Sequence, residues 1–401
     1  MKQFFFLTGL ILLPASLFSQ VAIRGEMVYR VSKPPVSNGV VLVNNGKIEQ
    51  VGPADSVSIP AGYKVISGKV VTPGFIDART VVGLTGVLNQ PHDQDQLDLT
   101  SAIQPELRAV DAYNPKDELV KWLQSFGVTT IHTGHAPGAL ISGQTFIVKT
   151  LGESADGDLI DQETMQAITV GKGPSRHFQS PGTRAKAIAM LRADLIKARE
   201  YREKKATKDP SKYPATDLRL ESLSRLLSRE DKALIYANSQ ADIQSAIRLA
   251  QEFNLDLVLD GAAEAWKMIP ELRKAGCPVL LQPSMVRTMG DLKNSTFESA
   301  RMLAEASVPF AFQSGYEEYV PKTRVVLFEA GLYAANGLGL ERTLKALTLD
   351  AATILGIGHR TGSLDPGKDA DVVVLTGDPF EYTTRVCTVL INGRIVSQTC
   401  Y

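Results

Sequence analysis

The sequence predicts an α/β protein: a (β/α)8 TIM-like barrel with a small β-sandwich domain formed by both chain ends. Two observations carry that prediction. Short β-rich runs separated by turn residues, without helical periodicity, occupy residues 21–71 and again 365–401. Between them, over 72–364, near-continuous apolar runs alternate with amphipathic stretches, which is the rhythm of parallel strands joined by crossover helices. An open doubly wound sheet is the competing closure. The glycine-rich dinucleotide fingerprint is missing, however, and β segments at both ends suit a barrel on a sandwich better.

In chain order, residues 1–20 open with Lys2, pass through the apolar run Phe4 to Leu13 and finish in small and polar residues. They predict a secretory signal peptide, with the mature chain exported to the periplasm or the extracellular space. A spanning helix needs about 20 apolar residues, and Pro14 interrupts this run, so no membrane insertion is expected after signal removal. Residues 21–71 begin the sandwich: GVVLVNNGKIEQVGP reads as strand, Asn45-Gly46 turn, strand. Barrel strands follow in VTTIHT, ALIYA, LDLVLD, CPVLLQP and VPFAFQS, with QADIQSAIRLAQEF as a crossover helix. Between the Asp156-Gly157 turn and Tyr213, dense Lys and Arg predict a solvated helix and loop. DADVVVLTGDP and TVLINGRIV complete the sandwich over 365–401, turning at Asn392-Gly393. In a two-residue turn Cys387 faces Gln398, so pairing Cys387 with Cys400 needs a slip of register.

Forty-three basic residues balance 43 acidic ones, so no global field draws the chain onto nucleic acid or an anionic membrane. With 44% apolar and 21% charged residues the composition is that of a folded globular chain. The three cysteines, Cys277, Cys387 and Cys400, have no zinc-ligand spacing.

The segment VVTPGFIDARTVVG, Val70 to Gly83, resembles the entry strand of the amidohydrolase superfamily, usually Pro-Gly-x-Ile-Asp-x-His-x-His; Pro73, Gly74, Ile76 and Asp77 match. FGVTTIHTG, LTLDAATILGI and the closing run GSLDPGKDADVVVLTGDP extend the resemblance over nearly the whole mature chain. The nearest branch is the imidazolonepropionase-like and prolidase-like one, whose exported members carry runs such as PELRAVDAYNP and GALISGQ. The resemblance implies a barrel that holds zinc or another divalent metal at its strand ends. There a bound water is activated to hydrolyse non-peptide or dipeptide C–N bonds.

Position by position, the resemblance places the family's ligands on residues unsuited to the task. The paired histidines of the first strand fall on Arg79 and Val81, and the metal-bridging lysine falls on Ala167. The fifth-strand and sixth-strand histidines fall on Tyr236 and Gly261, and the last-strand aspartate on Gly315. Four of these offer no side-chain donor, and Arg79 brings a permanent cation. At about 4 Å and an effective dielectric near 20, each unit of like charge opposes binding by about 4 kcal/mol. No metal cofactor is therefore expected, and the geometry anticipated instead is Arg79 paired with Asp260 or Asp77.

Other chemistries compete. His92, His132 and His135 form a weak alternative metal cluster; His177 and His359 complete the five histidines and carry no motif. Asp93, Asp95 and Asp98 lack the Gly and terminal Glu of a calcium loop. Ser142 and Ser314 need a positioned base that spacing does not reveal. Three functions remain open at this level: a catalytically inactive partner of an active amidohydrolase homologue, an active C–N hydrolase with a non-standard site, and a small-molecule binding protein. The first accounts for the concerted ligand loss most economically. The expected partners are an active homologue or further copies of the chain.

Overall fold

A computed structural model describes residues 20–88, 90–207, 209, 211, 213–316 and 325–400. The expected signal peptide falls almost wholly outside the described residues. Among the described residues no helix is long and apolar enough to cross a membrane.

Two sheets organise the chain. The first collects β1 (Val21–Val28), β2 (Val36–Asn44), β3 (Lys47–Pro53) and β4 (Lys64–Pro73) from one end with β13 (Val372–Leu375), β14 (Val386–Ile391) and β15 (Arg394–Ser397) from the other. They hydrogen-bond as one seven-stranded sheet in the order β15-β14-β13-β4-β1-β2-β3, where the sequence suggested a sandwich. Inward-facing Val21, Ile23, Val41, Val43, Val372 and Val374 alternate with other-face residues and join in one buried cluster. The two predicted hairpin turns put Asn45 and Asn392 at φ 50° and 49°, the left-handed region that Asn tolerates.

The second sheet has eight strands: β5 (Phe75–Thr80), β6 (Val128–Thr133), β7 (Ile141–Lys149), β8 (Leu159–Thr169), β9 (Lys232–Ala237), β10 (Leu257–Gly261), β11 (Val279–Leu281) and β12 (Phe310–Phe312). A parallel bridge between Thr80 and Gly315 brings its edge strands together, so the barrel-like sheet is nearly closed. Helices α1 (Glu118–Ser125), α2 (Ala155–Asp158), α3 (Arg184–Lys205), α4 (Leu218–Ser228), α5 (Gln240–Phe253), α6 (Ile269–Ala275) and α7 (Ser299–Glu305) lie between strands, and α8 (Val326–Tyr333), α9 (Leu340–Leu347) and α10 (Leu349–Ile354) follow β12. Their starts are legible: Asp117, Thr183 and Ser239 cap α1, α3 and α5 through side-chain oxygens.

The all-parallel expectation needs one correction. β7 pairs antiparallel with both β6 and β8, because residues 134–140 are too few for a crossover, which takes a dozen or so residues. A second correction concerns the basic stretch before Tyr213. Its helix α3 is not merely solvated: Ala187, Leu191, Leu195 and Ala198 are buried in the main core, while its charges face outward. The pairing that the sequence left open is made: Cys387 and Cys400 form a disulfide. The β14–β15 register shifts between Val389 and Leu390, and that bulge supplies the slip an ideal turn lacks. Cys277 is free and buried.

Candidate functional site at the barrel mouth

The carboxyl ends of the parallel strands converge on Arg79, one of the largest fully buried side chains in the protein. The β5–β6 register breaks between Asp77 and Thr80. Asp77 Oδ1 accepts the Arg79 amide (3.3 Å) and the Ser314 amide (3.0 Å), tying β5 to the segment after β12. The guanidinium donates through Nη1 to the carbonyls of Thr80 (2.9 Å) and Gly134 (3.2 Å) and through Nη2 to that of His135. Its Nε stands 3.5 Å from Asp260 Oδ2. That is an ion pair without a hydrogen bond, since Nε has no hydrogen-bond partner among the described residues. Asp260 in turn accepts from Gln313 Nε2 at 2.8 Å. The Tyr316 ring lies under the guanidinium at 5.8 Å and meets Tyr236 edge-on at 5.3 Å.

Burial governs the electrostatics. It pushes the Asp77 carboxyl up to about 7, against the opposing pull of its Ser314 hydrogen bonds. It raises Asp260 above the usual carboxylate range even with Arg79 beside it, and it lowers Arg79 from its ordinary value. A guanidinium starts so high that Arg79 stays cationic. His132 is pushed down to about 3 and His135 to about 4, by burial first and Arg79 second. Both imidazoles are therefore neutral at physiological pH.

The other residues singled out by sequence are placed as follows. Val81 and Ala167 are buried alkyl chains. Tyr236 ends in a phenol whose pKa burial raises. Gly261 and Gly315 sit at φ +82° and +84°. A β-carbon on Gly261 would come within 2.7 Å of Asn238 Oδ1, 2.9 Å of a Tyr236 ring carbon and 3.1 Å of Gln282 Oε1. A histidine there is thus opposed by both backbone and neighbours. Of the weak histidine cluster, His92 is exposed on the loop after β5. His132 already holds Ala78 O (2.8 Å) and Thr145 Oγ1 (2.6 Å) with its two ring nitrogens. His135 is buried, and neither ring nitrogen has a hydrogen-bond partner among the described residues. No group of three or more His, Cys, Asp or Glu stands together among the described residues. Ser142 donates to Ala136 O at 2.9 Å, and Ser314 donates to Asp77 and lies 3.1 Å from Thr80 Oγ1.

The six positions to which the sequence resemblance assigns ligands present a guanidinium, two alkyl chains, a phenol and two bare glycines. Such a set does not fit a divalent cation, which needs several convergent lone pairs and no competing positive charge. Sequence reasoning missed Gln313, Tyr316, Asn238 and Gln282, which fill the space around Arg79 and Gly261. Only their position just beyond strand ends hinted at the mouth.

The sequence profile of the amidohydrolase family matches residues 322–397. The amidohydrolase of Thermotoga maritima MSB8 superposes with a TM-score of 0.87 at 28% identity, over 94% of this chain and 100% of that one. The chain is similar to members of the amidohydrolase family in sequence and in fold. Amidohydrolase tasK of Hapsidospora irregularis is 22% identical over 392 residues, 88% of this chain and 39% of that protein. The imidazolonepropionase of Thermoplasma volcanium is 26% identical over 134 residues, 32% of each chain. The chain thus spans less than half the length of the curated relatives it matches. A prolidase complexed with N-methylphosphonate-L-proline shares the fold, with a TM-score of 0.59 at 16% identity over 95% of this chain and 100% of that one. That similarity supports a relation to hydrolases of C–N bonds, and the reaction of this particular mouth is a separate matter.

Proposed function

We propose that this chain is an amidohydrolase that has lost metal-dependent C–N hydrolysis and serves as a catalytically inactive partner of an active homologue. One observation carries the reading: the Arg79 guanidinium is bound by three backbone carbonyls and Asp260 at the place where the family's first-strand histidine would approach its metal. A cation already occupies the electrostatic role of the ion. Gly261, closed in by Asn238, Tyr236 and Gln282, adds that the ligand set is not one substitution from recovery. The test is purification from the native host without chelators. The expected result is a metal-bearing relative co-purifying with a chain that itself neither binds zinc nor cleaves amides or dipeptides; zinc-dependent turnover by the isolated chain overturns the reading.

In the same reading the eight-stranded sheet, 72–364, is a modified (β/α)8 barrel, and segments 21–71 and 365–401 form its composite β domain. The chain works outside the cytoplasm, in the periplasm or beyond. The Cys387–Cys400 disulfide supports that location, since such bonds persist in oxidising compartments.

A binding role without chemistry has one observation in its favour. The carboxamide oxygens of Gln282 and Gln313 are buried at the mouth without hydrogen-bond partners among the described residues, a state that water or a donor-bearing ligand relieves. Thermal stabilisation by a small amide or amine, without turnover, is the result that would support it.

A further inference from the structure

We propose that the mouth face of the barrel is a self-association surface on which a second copy of this chain docks across a two-fold axis. Four observations converge on that face. By topology, the loops after β5, β8 and β11 all leave the carboxyl ends of parallel strands, so they share one end of the barrel. The loop after β5 carries exposed Asp95 and Asp98, and the loop after β8 carries exposed Lys172 and Arg176. The two loops meet over Gly138: a β-carbon there would lie 2.6 Å from Leu97 and 3.5 Å from the His177 ring. Despite this proximity, no ion pair joins these acidic and basic side chains to each other or to other described residues.

Neighbouring blocks of opposite charge, without an ion-pair partner among the described residues, form a self-complementary surface. A two-fold axis between them lays the acidic block of one copy on the basic block of the other, and the reverse, as an isologous interface requires. Large apolar side chains are exposed on loops at the same end of the barrel. Leu88 is 73% exposed and Leu99 52% on the first loop, and Met289 is 66% exposed on the loop after β11. Such groups beside a polar rim mark association surfaces, and methionine adapts to an opposing surface at little cost. The proposal goes beyond the inactive-partner reading and rests on it in one respect: a mouth that passes no substrate is free to be covered.

The test is sedimentation of the mature chain at low and high salt, with Asp95→Lys and Arg176→Glu made singly and together. Wild type is expected to dimerise at low salt and to weaken as salt rises. Each single reversal is expected to weaken dimerisation about tenfold or more, because two like-charge contacts replace two attractive ones. An equimolar mixture of the two single variants restores a dimer, as does the double variant, since both arrangements return opposite charges to each contact. A wild-type chain that stays monomeric overturns the proposal, as does a dimer indifferent to the reversals. So does a monomer that instead captures a metal-bearing relative through this face. A hydrolysis assay with added zinc on the same preparation separates the two ideas: turnover with an intact dimer removes the inactive-partner reading alone, and inactivity without a dimer removes this one alone.

Discussion

The two ends of the barrel each bury a cation, and they do so in opposite ways. At the amino end Lys149, on antiparallel β7, is paired with Asp371 and stands 3.4 Å from Asp369. Asp371 also accepts from Thr361 Oγ1 (2.6 Å) and the Asn392 amide (3.0 Å), and Asp369 from Lys47 at 2.6 Å. Every charge there has an opposite neighbour, and the network ties the barrel to β13 and β14. At the mouth, Arg79 has one carboxylate at 3.5 Å and leans on backbone carbonyls, with the Gln282, Gln313 and His135 polar atoms left over nearby. A site built for stability satisfies its polar groups; one that inherits the geometry of another task leaves some unsatisfied.

The contrast is sharpest under mutation. Lys149→Met leaves buried Asp371 without a cation and takes one of three from Asp369, which keeps Lys47 and Arg360; it is expected to destabilise by about 4 kcal/mol, against about 3 kcal/mol for Arg79→Met, which strands Asp260 alone. Denaturant midpoints at constant m-value measure both. A reversed order breaks the comparison. Adding Asp260→Leu to Arg79→Met is expected to recover most of the loss, because an apolar pair removes the stranded charge; adding Asp371→Leu to Lys149→Met is expected to recover less, because it also takes the acceptor from Thr361 and the Asn392 amide. Gly261→His is expected to cost about 2 to 3 kcal/mol from strain and overlap, without conferring zinc binding in calorimetry. Reducing the Cys387–Cys400 bond, which closes a separation of 13 residues, should remove about 2 to 3 kcal/mol of stability.

A further effect is in pH. His132 and His135, held at about 3 and 4 in the folded chain, take protons near 6.5 when unfolded, so their stabilising contribution is lost as pH falls below about 6.5. Asp77, held at about 7, binds its proton more readily when folded, and its contribution is lost as pH rises from about 4 to 7. Between about pH 4 and 6.5 the unfolded chain thus gains one proton net from these three groups, a slope of about 1.4 kcal/mol per pH unit. Asp77→Asn should double that slope to about 2.8 kcal/mol per unit. An unchanged slope would mean that the mouth is wetter than its geometry indicates.

What was legible in the sequence divides along the same line. The β-rich ends, the βα rhythm, the turns at Asn45-Gly46 and Asn392-Gly393 and the approach of Arg79 to Asp260 followed from local pattern and family register. The antiparallel β7 did not, because its apolar run carries no direction; the cue was the short, helix-free link over 134–140. Lys149 was missed since a lone lysine in a strand reads as surface until its partners, over two hundred residues onward, are placed. The β14–β15 bulge likewise escaped a reading based on ideal turns. Gln282, Gln313 and Tyr316 are ordinary residues in sequence and acquire meaning only around a filled mouth.

The central claim is that a protein cation has taken the place of a metal ion. Crystals of the native chain grown with excess zinc and examined by anomalous scattering test it most directly. The account predicts no ordered zinc at the mouth, with Arg79 still on Asp260 and the three carbonyls. A zinc ion bound there by protein side chains, with Arg79 swung aside, would contradict it.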